Sequence, residues 1–459
     1  MKLQLQSKRV LVLGLGETGL SALRWLATQG AILSVADSRD NPPNLDDLKR
    51  TLPQVAVYTG VFQQNILLQA DVIVISPGVA LSEPAVQAAI RAGIPVLGDV
   101  ELFAQHRPLT SKVIGITGSN GKTTVTTLVG EICKAAGFKT IVAGNIGLPV
   151  LDTFSMEAPD IYVLELSSFQ LETTSSLMLD AATVLNVSED HMDRYGSIAE
   201  YAAAKARMLK HAKIAVLNRD DVVSFGLANA NTVTFGLNPA PTIRDFGLVE
   251  HKGEYYLTSG QRKICKTSSL KITGQHNVAN ALAAAALCFS AGIEKSTLVL
   301  ALQAFKGLPH RVEWVDSIND VDYYDDSKGT NVGATCAAIL GMTKNNLPQK
   351  TVLIAGGDGK GQDFSPLADA VQANSRAVVL MGRDAKIIES VLLPTNVPLY
   401  YAADLPEAVN IAKKLANVGD AVLLSPACAS FDMFKNYVHR AEVFIAAVKQ
   451  LKSQQVAAC

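Results

Sequence analysis

Three segments of this chain begin in the same way, and that repetition constrains the fold more than any other feature. Each opens with a short apolar run and continues through a turn into a helix-like segment; the runs are Arg9–Leu13, Lys112–Thr117 and Val321–Asp325. This alternation is typical of parallel sheets joined by crossover helices. Since a domain usually has about 100–200 residues, the length of 459 residues fits three α/β domains. Breaks near Pro108 and 307–309 predict domains at 1–107, 108–308 and 309–459.

The composition narrows the possible partners and compartment. Apolar residues make up 48% of the chain and charged residues 18%, which is enough apolar material for large cores. A formal net charge of -1 gives no reason to expect a nucleic-acid partner. The six cysteines are scattered without metal-ligand spacing, which is typical of a reducing compartment. Because no apolar stretch resembles a signal peptide or a membrane span, we expect a cytoplasmic protein without membrane insertion.

The turn after the second run has the composition of a triphosphate-binding loop. It consists of Gly118, Ser119, Asn120, Gly121, Lys122, Thr123 and Thr124. Glycines let backbone N–H groups approach phosphates at a helix N-terminus, where the helix dipole favours negative charge. We expect Lys122 to contact the β- and γ-phosphates of ATP and the Thr123 hydroxyl to coordinate Mg²⁺. The spacing is a variant, because Ile116 stands where the usual pattern has its first glycine.

Two later strand ends are expected beside this loop. Glu165 ends the apolar run 161–165, and His191 follows the run 183–187. An acid at the end of a strand next to a phosphate loop is where such proteins hold Mg²⁺. Alone, either residue would more often be a surface or structural group, but the three elements together predict one phosphate and metal site.

The first turn carries a different glycine pattern. Gly14, Gly16 and Gly19 form a GxGxxG motif, and Asp37 lies where a ribose-binding acid is expected. Alone, this motif predicts a nicotinamide enzyme, but it fits any nucleotide diphosphate laid over a helix N-terminus. No hydride-transfer apparatus is recognisable, and a triphosphate loop follows. One nucleotide-linked substrate plus ATP therefore explains the chain better.

A set of longer motifs carries a resemblance to a known family. They are GSNGKTT at 118–124, GNIG at 144–147, ELSSFQ at 165–170, NVSEDHMDRYG at 186–196, GQHNVAN at 274–280, HR at 310–311 and DSKGTN at 326–331. In order and spacing, from about residue 9 to about residue 446, the chain resembles the Mur ligases of peptidoglycan synthesis. Its opening GLGETGLS and its closing segment 424–437 are similar to the members that add D-glutamate to UDP-N-acetylmuramoyl-L-alanine.

The resemblance implies a fold and an activity. The fold would have a Rossmann-like domain for the UDP substrate, a central P-loop ATPase-type domain with a mostly parallel sheet, and a Rossmann-like C-terminal domain for the amino acid. The activity would be ADP-forming amide ligation through an acyl phosphate, with ATP and Mg²⁺ required. We expect a monomer that acts on small molecules only.

The resemblance also implies roles residue by residue. ATP contacts would be residues 118–124, Asn145, Asn277, Asn280, Arg311, Asp326 and Lys328. Catalytic residues would be Lys122, Glu165, His191 and Lys205, and metal ligands Thr123, Glu165, His191 and Lys205. UDP-substrate contacts would be Gly14, Gly16, Thr18, Gly19, Asp37, Ser38, Arg39, Ser76, Gly78, Asn145, Ser167 and Gln170. Amino-acid contacts would be Thr330, Lys360, Ser430 and Tyr437. The chain differs from the family pattern at Thr123, Gly329 and Tyr437, where serine, alanine and phenylalanine are expected.

A functional role for Lys205 is implied by the family resemblance alone. It lies in the helix-like stretch 198–213, where a lysine is usually solvated. Its position matches the carbamylated lysine of the family, which must be a neutral amine before it reacts with CO₂. We therefore predict a carbamate on Lys205.

Other functions stay open at this point. Another ligase of the superfamily, specific for folate or for a different amino acid, would release phosphate with a different substrate. A nicotinamide oxidoreductase would bind the dinucleotide and transfer hydride. A binding module without catalysis would bind ATP and form no ADP.

Overall fold

The structure is a computed structural model that describes residues 3–272, 274–344 and 347–458. The first sheet has the strands β1 (Arg9–Leu13), β2 (Ile32–Asp37), β3 (Ala56–Thr59), β4 (Val72–Ile75) and β5 (Val96–Leu97). Its helices are α1 (Glu17–Thr28), α2 (Leu45–Thr51), α3 (Gln64–Leu67), α4 (Pro84–Arg91) and α5 (Asp99–His106). The strand order is β3-β2-β1-β4-β5, and every pairing is parallel. The order reverses direction beside β1, and ligands of such sheets bind at this kind of switch point.

The second sheet has six parallel strands. They are β6 (Lys112–Thr117), β7 (Thr140–Gly144), β8 (Ile161–Glu165), β9 (Ala181–Val184), β10 (Ala215–Asn218) and β11 (Thr232–Phe235). The helices are α6 (Lys122–Ala135), α7 (Ser168–Glu172), α8 (Ile198–Ala206) and α9 (Val222–Phe225), with 3₁₀ turns at Val150–Ser155 and Arg207–His211. The order β11-β10-β9-β6-β8-β7 places β6 between β8 and β9. The segments that leave these three strands therefore meet at one edge.

A small antiparallel sheet follows, which the sequence patterns did not predict. Its strands are β12 (Phe246–His251), β13 (Glu254–Ser259) and β14 (Arg262–Lys266), followed by a 3₁₀ turn at Thr267–Ser269 and by α10 (Gln275–Ser290) and α11 (Lys295–Ala304). Six consecutive alanine and leucine positions of α10, 281–286, are fully buried. Small side chains let α10 pack closely on the rest of this core, so its N-terminus is held beside the phosphate loop.

The third sheet is parallel except at one edge. Its strands are β15 (Glu313–Ile318), β16 (Val321–Asp325), β19 (Thr351–Gly356), β20 (Ser375–Met381), β21 (Leu399–Tyr401) and β22 (Ala421–Leu424), while β17 (Thr343–Lys344) and β18 (Leu347–Pro348) form a separate hairpin. The helices are α12 (Val332–Gly341), α13 (Pro366–Asn374), α14 (Ala385–Leu392), α15 (Leu405–Leu415) and α16 (Tyr437–Ala458), with a 3₁₀ turn at Leu393–Thr395. The order is β15-β16-β22-β19-β20-β21, with β15 antiparallel to β16.

The predicted α/β class with mostly parallel sheets is confirmed, and some predicted element limits are wrong. The helix α6 begins at Lys122, so the last three residues of the predicted loop 118–124 are helical, and β9 ends at Val184 rather than at 187. None of the helices within 3–272, 274–344 and 347–458 has both the length and the apolar character needed to cross a bilayer.

Candidate active site

The phosphate loop joins β6 to α6 and is fixed mainly by the segment after β9. Gly121 has φ +81°, a left-handed conformation that favours glycine. The Ser119 and Asn120 backbone N–H groups donate to the backbone and side-chain oxygens of Asn186, at 2.9 and 2.8 Å. The Lys122 ammonium donates to the carbonyls of Gly118 and Ser119, at 2.7 and 2.8 Å. Burial lowers the pKa of Lys122.

Lys205 lies at the bottom of this loop, although its local sequence is that of a solvated helix. Its side chain is 1% exposed. The ammonium donates to the Gly118 carbonyl at 3.0 Å and lies 4.2 Å from the centre of the Tyr201 ring. Burial, together with the positive charge of Lys122, lowers the pKa of Lys205 well below its ordinary value. Two lysine nitrogens thus share one carbonyl oxygen.

Glu165, the last residue of β8, supplies a buried carboxylate to the same place. Its Oε1 accepts a hydrogen bond from the Asn145 side-chain amide at 2.8 Å. Its Oε2 is buried and has no hydrogen-bond partner among the described residues. A buried carboxylate oxygen without a partner is unfavourable unless a cation or donor meets it. Glu165 therefore has the geometry of a metal ligand.

His191 lies in the segment after β9, lines the same cavity as Glu165 and has a backbone φ of +60°, an uncommon conformation outside glycine. Its ring lies 4.9 Å from the Phe169 ring, centre to centre, and burial lowers its pKa. The preceding residue, Asp190, is 7% exposed and accepts a hydrogen bond from the Lys360 ammonium at 2.5 Å. Burial tends to raise the pKa of Asp190, but Lys360, His191 and Lys122 together bring it below the usual value.

These groups line a cavity that we call the loop cavity. It is about 320 Å³ and is bounded by the phosphate loop, Glu165, His191, Lys205 and residues of the third sheet. The third-sheet residues include Thr330, Asn331 and Lys360, and Asn331 also donates to the Asn120 side chain at 2.9 Å. The prediction that Lys122, Thr123, Glu165, His191 and Lys205 share one site matches this geometry.

A second cavity, the α10 cavity, continues from the loop on the side of α10. It is about 340 Å³ and includes the predicted residues Asn120, Gly121, Thr124, Asn277, Asn280, Arg311, Asp326 and Lys328. Asn280 donates to the Asn277 side chain at 3.3 Å, as expected for residues three apart on a helix. Burial raises the pKa of Asp326 to about 7 and lowers that of Lys328 to about 8. Arg311 lines both this cavity and the loop cavity.

A third cavity, the β1 cavity, lies at the switch point of the first sheet and is about 490 Å³. Of the predicted UDP-substrate residues it includes Gly14, Gly16, Thr18, Asp37, Ser38, Arg39, Ser76, Gly78, Asn145 and Gln170. Ser167 lines the loop cavity instead. Gly19 lines neither; a Cβ there would lie 1.9 Å from the Gly14 carbonyl oxygen, so Gly19 permits close helix–strand packing.

Asp37 has less freedom than a ribose-binding acid requires. Its carboxylate accepts hydrogen bonds from the Leu15 backbone at 2.7 Å and from the backbone and guanidinium of Arg39 at 2.7–2.9 Å. The Arg39 and Leu15 donors hold the pKa of Asp37 below its usual value, although burial opposes them. Asp37 therefore positions Arg39 and the glycine turn, and Arg39 is the freer group for a ligand.

The predicted amino-acid residues are only partly brought together. Thr330 and Lys360 line the loop cavity, but Ser430 and Tyr437 line none of the three cavities. Tyr437 lies outside the three cavities, with its ring centre 3.9 Å from the ammonium of Lys328, which lines two of them. The roles of Ser430 and Tyr437 stay predictions.

Several residues of these cavities were missed from the sequence. They are Asn186, Ser188, Asp190, Asn218, Phe235, His276 and Asn331. His276 is half-buried, its pKa is lowered to about 4 by burial, and its buried Nδ1 has no hydrogen-bond partner among the described residues. Asp190 and His276 each directly precede a residue that was predicted, His191 and Asn277, so a place in the same motifs was the sequence feature that could have indicated them.

Comparisons with known proteins agree with this arrangement over the whole chain. Models of the Mur ligase MurD-like N-terminal domain, the Mur ligase middle domain and the Mur ligase glutamate ligase domain match residues 8–98, 116–288 and 310–428. UDP-N-acetylmuramoylalanine–D-glutamate ligase of Methylobacillus flagellatus is 60% identical over 99% of this chain and 100% of its own length. The enzyme of the same name from Thiobacillus denitrificans is 54% identical over 99% of this chain and 98% of its own length.

Solved structures agree on the fold. UDP-N-acetylmuramate–alanine ligase MurC from Thermotoga maritima is 19% identical, covers 97% of this chain and 100% of its own, and has a TM-score of 0.60. MurF from Acinetobacter baumannii is 16% identical, covers 96% of this chain and 91% of its own, and has a TM-score of 0.59. The chain therefore belongs to the Mur ligase family and, within it, to the UDP-N-acetylmuramoylalanine–D-glutamate ligases.

Proposed function

We propose that the protein adds D-glutamate to UDP-N-acetylmuramoyl-L-alanine, with conversion of ATP to ADP and phosphate, in cytoplasmic peptidoglycan precursor synthesis. The main structural support for this function is the position of Asn145, which lines both the β1 cavity and the loop cavity. A UDP-linked substrate in the β1 cavity would extend its terminal carboxylate past Asn145 towards the phosphate loop. A triphosphate along the α10 cavity would end at the same point.

Mg²⁺ fits the residues of the loop cavity. Oxygen ligands are the ones it prefers, and the unpaired Glu165 Oε2 is one of them. Thr123, His191 and a carbamate on Lys205 would complete the protein ligands. When bound, the ion neutralises charge on the phosphoryl oxygens as the negative groups approach.

The surroundings of Lys205 support the carbamate. A carbamate forms when a neutral amine attacks CO₂ and releases one proton, and the lowered pKa of Lys205 favours the neutral amine. The product is an anion where the chain otherwise places two ammonium groups on one carbonyl. Carbamylation thus reverses the local charge and supplies an oxygen ligand.

The reaction then follows from the positions of the groups. A substrate carboxylate oxygen attacks the γ-phosphorus, the bond to the β–γ bridging oxygen breaks, and ADP leaves. Lys122, which lines the loop cavity, would stabilise charge on the transferred phosphoryl group. The amine of D-glutamate attacks the acyl carbon, the amine proton passes to a base, and phosphate leaves. His191 would suit that base at a stage where Thr123, Glu165 and the carbamate hold the ion without it, because its lowered pKa keeps the imidazole neutral.

The third sheet supplies the amino-acid side of the site. Lys360 would pair with a carboxylate of D-glutamate and Thr330 would donate to it, with Ser430 and Tyr437 further back. Contacts such as Lys360–Asp190 and Asn331–Asn120 close the third sheet over the second. That closure excludes water from an acyl phosphate that hydrolyses readily. We further propose domain limits at 1–107, 108–308 and 309–459 and a monomeric enzyme.

ADP release with each substrate omitted in turn tests the proposal. Full release should require UDP-N-acetylmuramoyl-L-alanine, D-glutamate and Mg-ATP together. Lys122→Ala should abolish turnover and leave binding of UDP unchanged, whereas Lys134→Ala, an exposed lysine on the same helix, should retain activity. Equal release with another amino acid, or retained turnover in Lys122→Ala, would contradict the proposal.

A further inference from the structure

Arg194 connects the wall of the β1 cavity to the segment that carries His191. Its Nη1 donates to the Pro77 carbonyl and its Nη2 to the Val79 carbonyl, both at 3.2 Å. Pro77 and Val79 line the β1 cavity with Gly78 between them. The guanidinium fork therefore spans two carbonyls of one turn and fixes its curvature, which the single ammonium of a lysine cannot do.

The other contacts of Arg194 lie in the second sheet and its loops. Nη2 also lies 3.3 Å from Glu172 at the end of α7, and the guanidinium carbon lies 4.3 Å from the centre of the Phe169 ring. Phe169 in turn packs its ring against His191. The backbone N–H of Arg194 donates to the His191 carbonyl at 2.9 Å. Both terminal nitrogens and one face of the guanidinium thus have partners, which restricts its position.

We propose that Arg194 is a positioning residue that sets the reach of the UDP-linked substrate from the β1 cavity to the phosphate loop. The inference rests on the proposed function and adds a residue to it. Because Arg194 holds Pro77 and Val79 at a fixed distance from His191, it holds the nucleotide end of the substrate at a fixed distance from the reacting carboxylate. A displacement of about 1 Å at such a site can slow a reaction by about 100-fold.

Arg207 offers a matched control. It also donates to two backbone carbonyls, those of Leu171 at 2.8 Å and Thr174 at 3.1 Å, but Leu171 lies in α7 and Thr174 just after it, outside the Pro77–Val79 turn. Arg194→Met and Arg207→Met each remove a guanidinium fork that bridges two carbonyls. Only the first releases the wall of the β1 cavity.

The test is steady-state ADP release, with kcat and the KM of each of the three substrates measured for every variant. Arg194→Met should raise the KM of the UDP-linked substrate by about tenfold or more and lower kcat, with the KM of ATP changed less than about twofold. Arg194→Lys keeps the charge beside Glu172 and should give an intermediate KM for the UDP-linked substrate. Arg207→Met should leave all three KM values close to those of the unmodified protein.

Two results would overturn the inference. One is an Arg194→Met enzyme with an unchanged KM for the UDP-linked substrate; the other is an equal rise of all three KM values in Arg194→Met and Arg207→Met, which would indicate a general structural role. If Arg194→Met does not fold, Arg194→Lys decides by the same comparison. Absence of ADP release in the unmodified protein would instead refute the proposed function itself.

Discussion

Lys205→Met separates folding stability from activity at the base of the phosphate loop. Methionine nearly preserves the side-chain volume and removes the nitrogen that would carry the carbamate. Relative to the protein without the carbamate, the substitution loses the hydrogen bond to the Gly118 carbonyl, about 1.5–3 kcal/mol for a charged donor, and the contact with the Tyr201 ring, about 2 kcal/mol. It also removes a buried ammonium, whose desolvation is unfavourable by several kcal/mol, and the repulsion from Lys122.

These contributions nearly cancel, so the free energy of unfolding should fall by no more than about 1 kcal/mol or should rise. For a domain of about 150–250 residues, 1 kcal/mol moves the Tm by about 2–4 °C. Turnover should nevertheless fall by at least about 100-fold, because the carbamate oxygen proposed to hold Mg²⁺ is lost, and with it the ion's stabilisation of charge on the phosphoryl oxygens. Lys210→Met, at an exposed lysine of the same segment, should change neither quantity.

The assay pairs thermal unfolding with ADP release for both variants. Incubation with ¹³C-bicarbonate should give a carbamate NMR signal in the unmodified protein and in Lys210→Met, and no such signal in Lys205→Met. A Tm lowered by 10 °C or so would show that Lys205 supports the fold rather than the reaction. Full turnover without the carbamate signal would refute the reasoning about charge reversal.

Three further predictions concern residues around the same cavities. Lys360→Met should raise the KM of D-glutamate by about 10–100-fold, the effect of losing a charged hydrogen bond, with the KM of ATP unchanged in the same ADP-release assay. Gly121→Ala should raise the KM of ATP by about tenfold or more, because the left-handed backbone disfavours alanine by about 1–2 kcal/mol and the new Cβ would lie 2.5 Å from the Asn280 side-chain oxygen. Burial raises the folded-state pKa of Asp326 from 3.8 to about 7, so its contribution to stability is complete below pH 3.8 and is lost as pH rises through about 7. Asp326→Asn should therefore flatten the decline in unfolding free energy, measured with urea, between about pH 4 and pH 7; an unchanged slope would contradict that shift.

The parts of the fold that could be predicted from the sequence are those whose limits depend on residues adjacent in the chain. The apolar run Arg9–Leu13 and the run Lys112–Thr117 form strands with the predicted limits, because glycine-rich turns end both. β16 has the limits of the predicted run Val321–Asp325, but β15, and with it the β15–β16 hairpin, was missed. Its turn residues Asn319 and Asp320 both have positive φ, which asparagine and aspartate tolerate, but their sequence lacks the glycine that usually marks such a turn.

In the candidate site, too, the features built from adjacent residues could be predicted, and those that join distant parts of the chain could not. The phosphate loop was predictable because its glycines, lysine and threonine are adjacent in the chain. The Asp190–Lys360 ion pair joins residues 170 positions apart, and nothing near either residue indicates the other. Lys205 is the extreme case, since an alanine-rich helix normally exposes its lysine to solvent, and only the packing of α8 beneath the loop buries it.

The positive charges that line the loop cavity explain why residues from distant parts of the chain form one functional site. Lys122 and Lys205 share the Gly118 carbonyl, and Arg311 and Lys328 approach from the third sheet, so positive groups meet from elements that are far apart in the chain. Burial lowers the pKa of all four cationic side chains, which means that bringing them together in the folded protein reduces its stability. Such an arrangement is useful only if a compact, highly charged anion binds among them, and a triphosphate with an approaching carboxylate is such an anion. Because these cations belong to different sheets, an anion that binds among them would favour closure of the third sheet over the second, and the same cations would then stabilise the phosphoryl transfer.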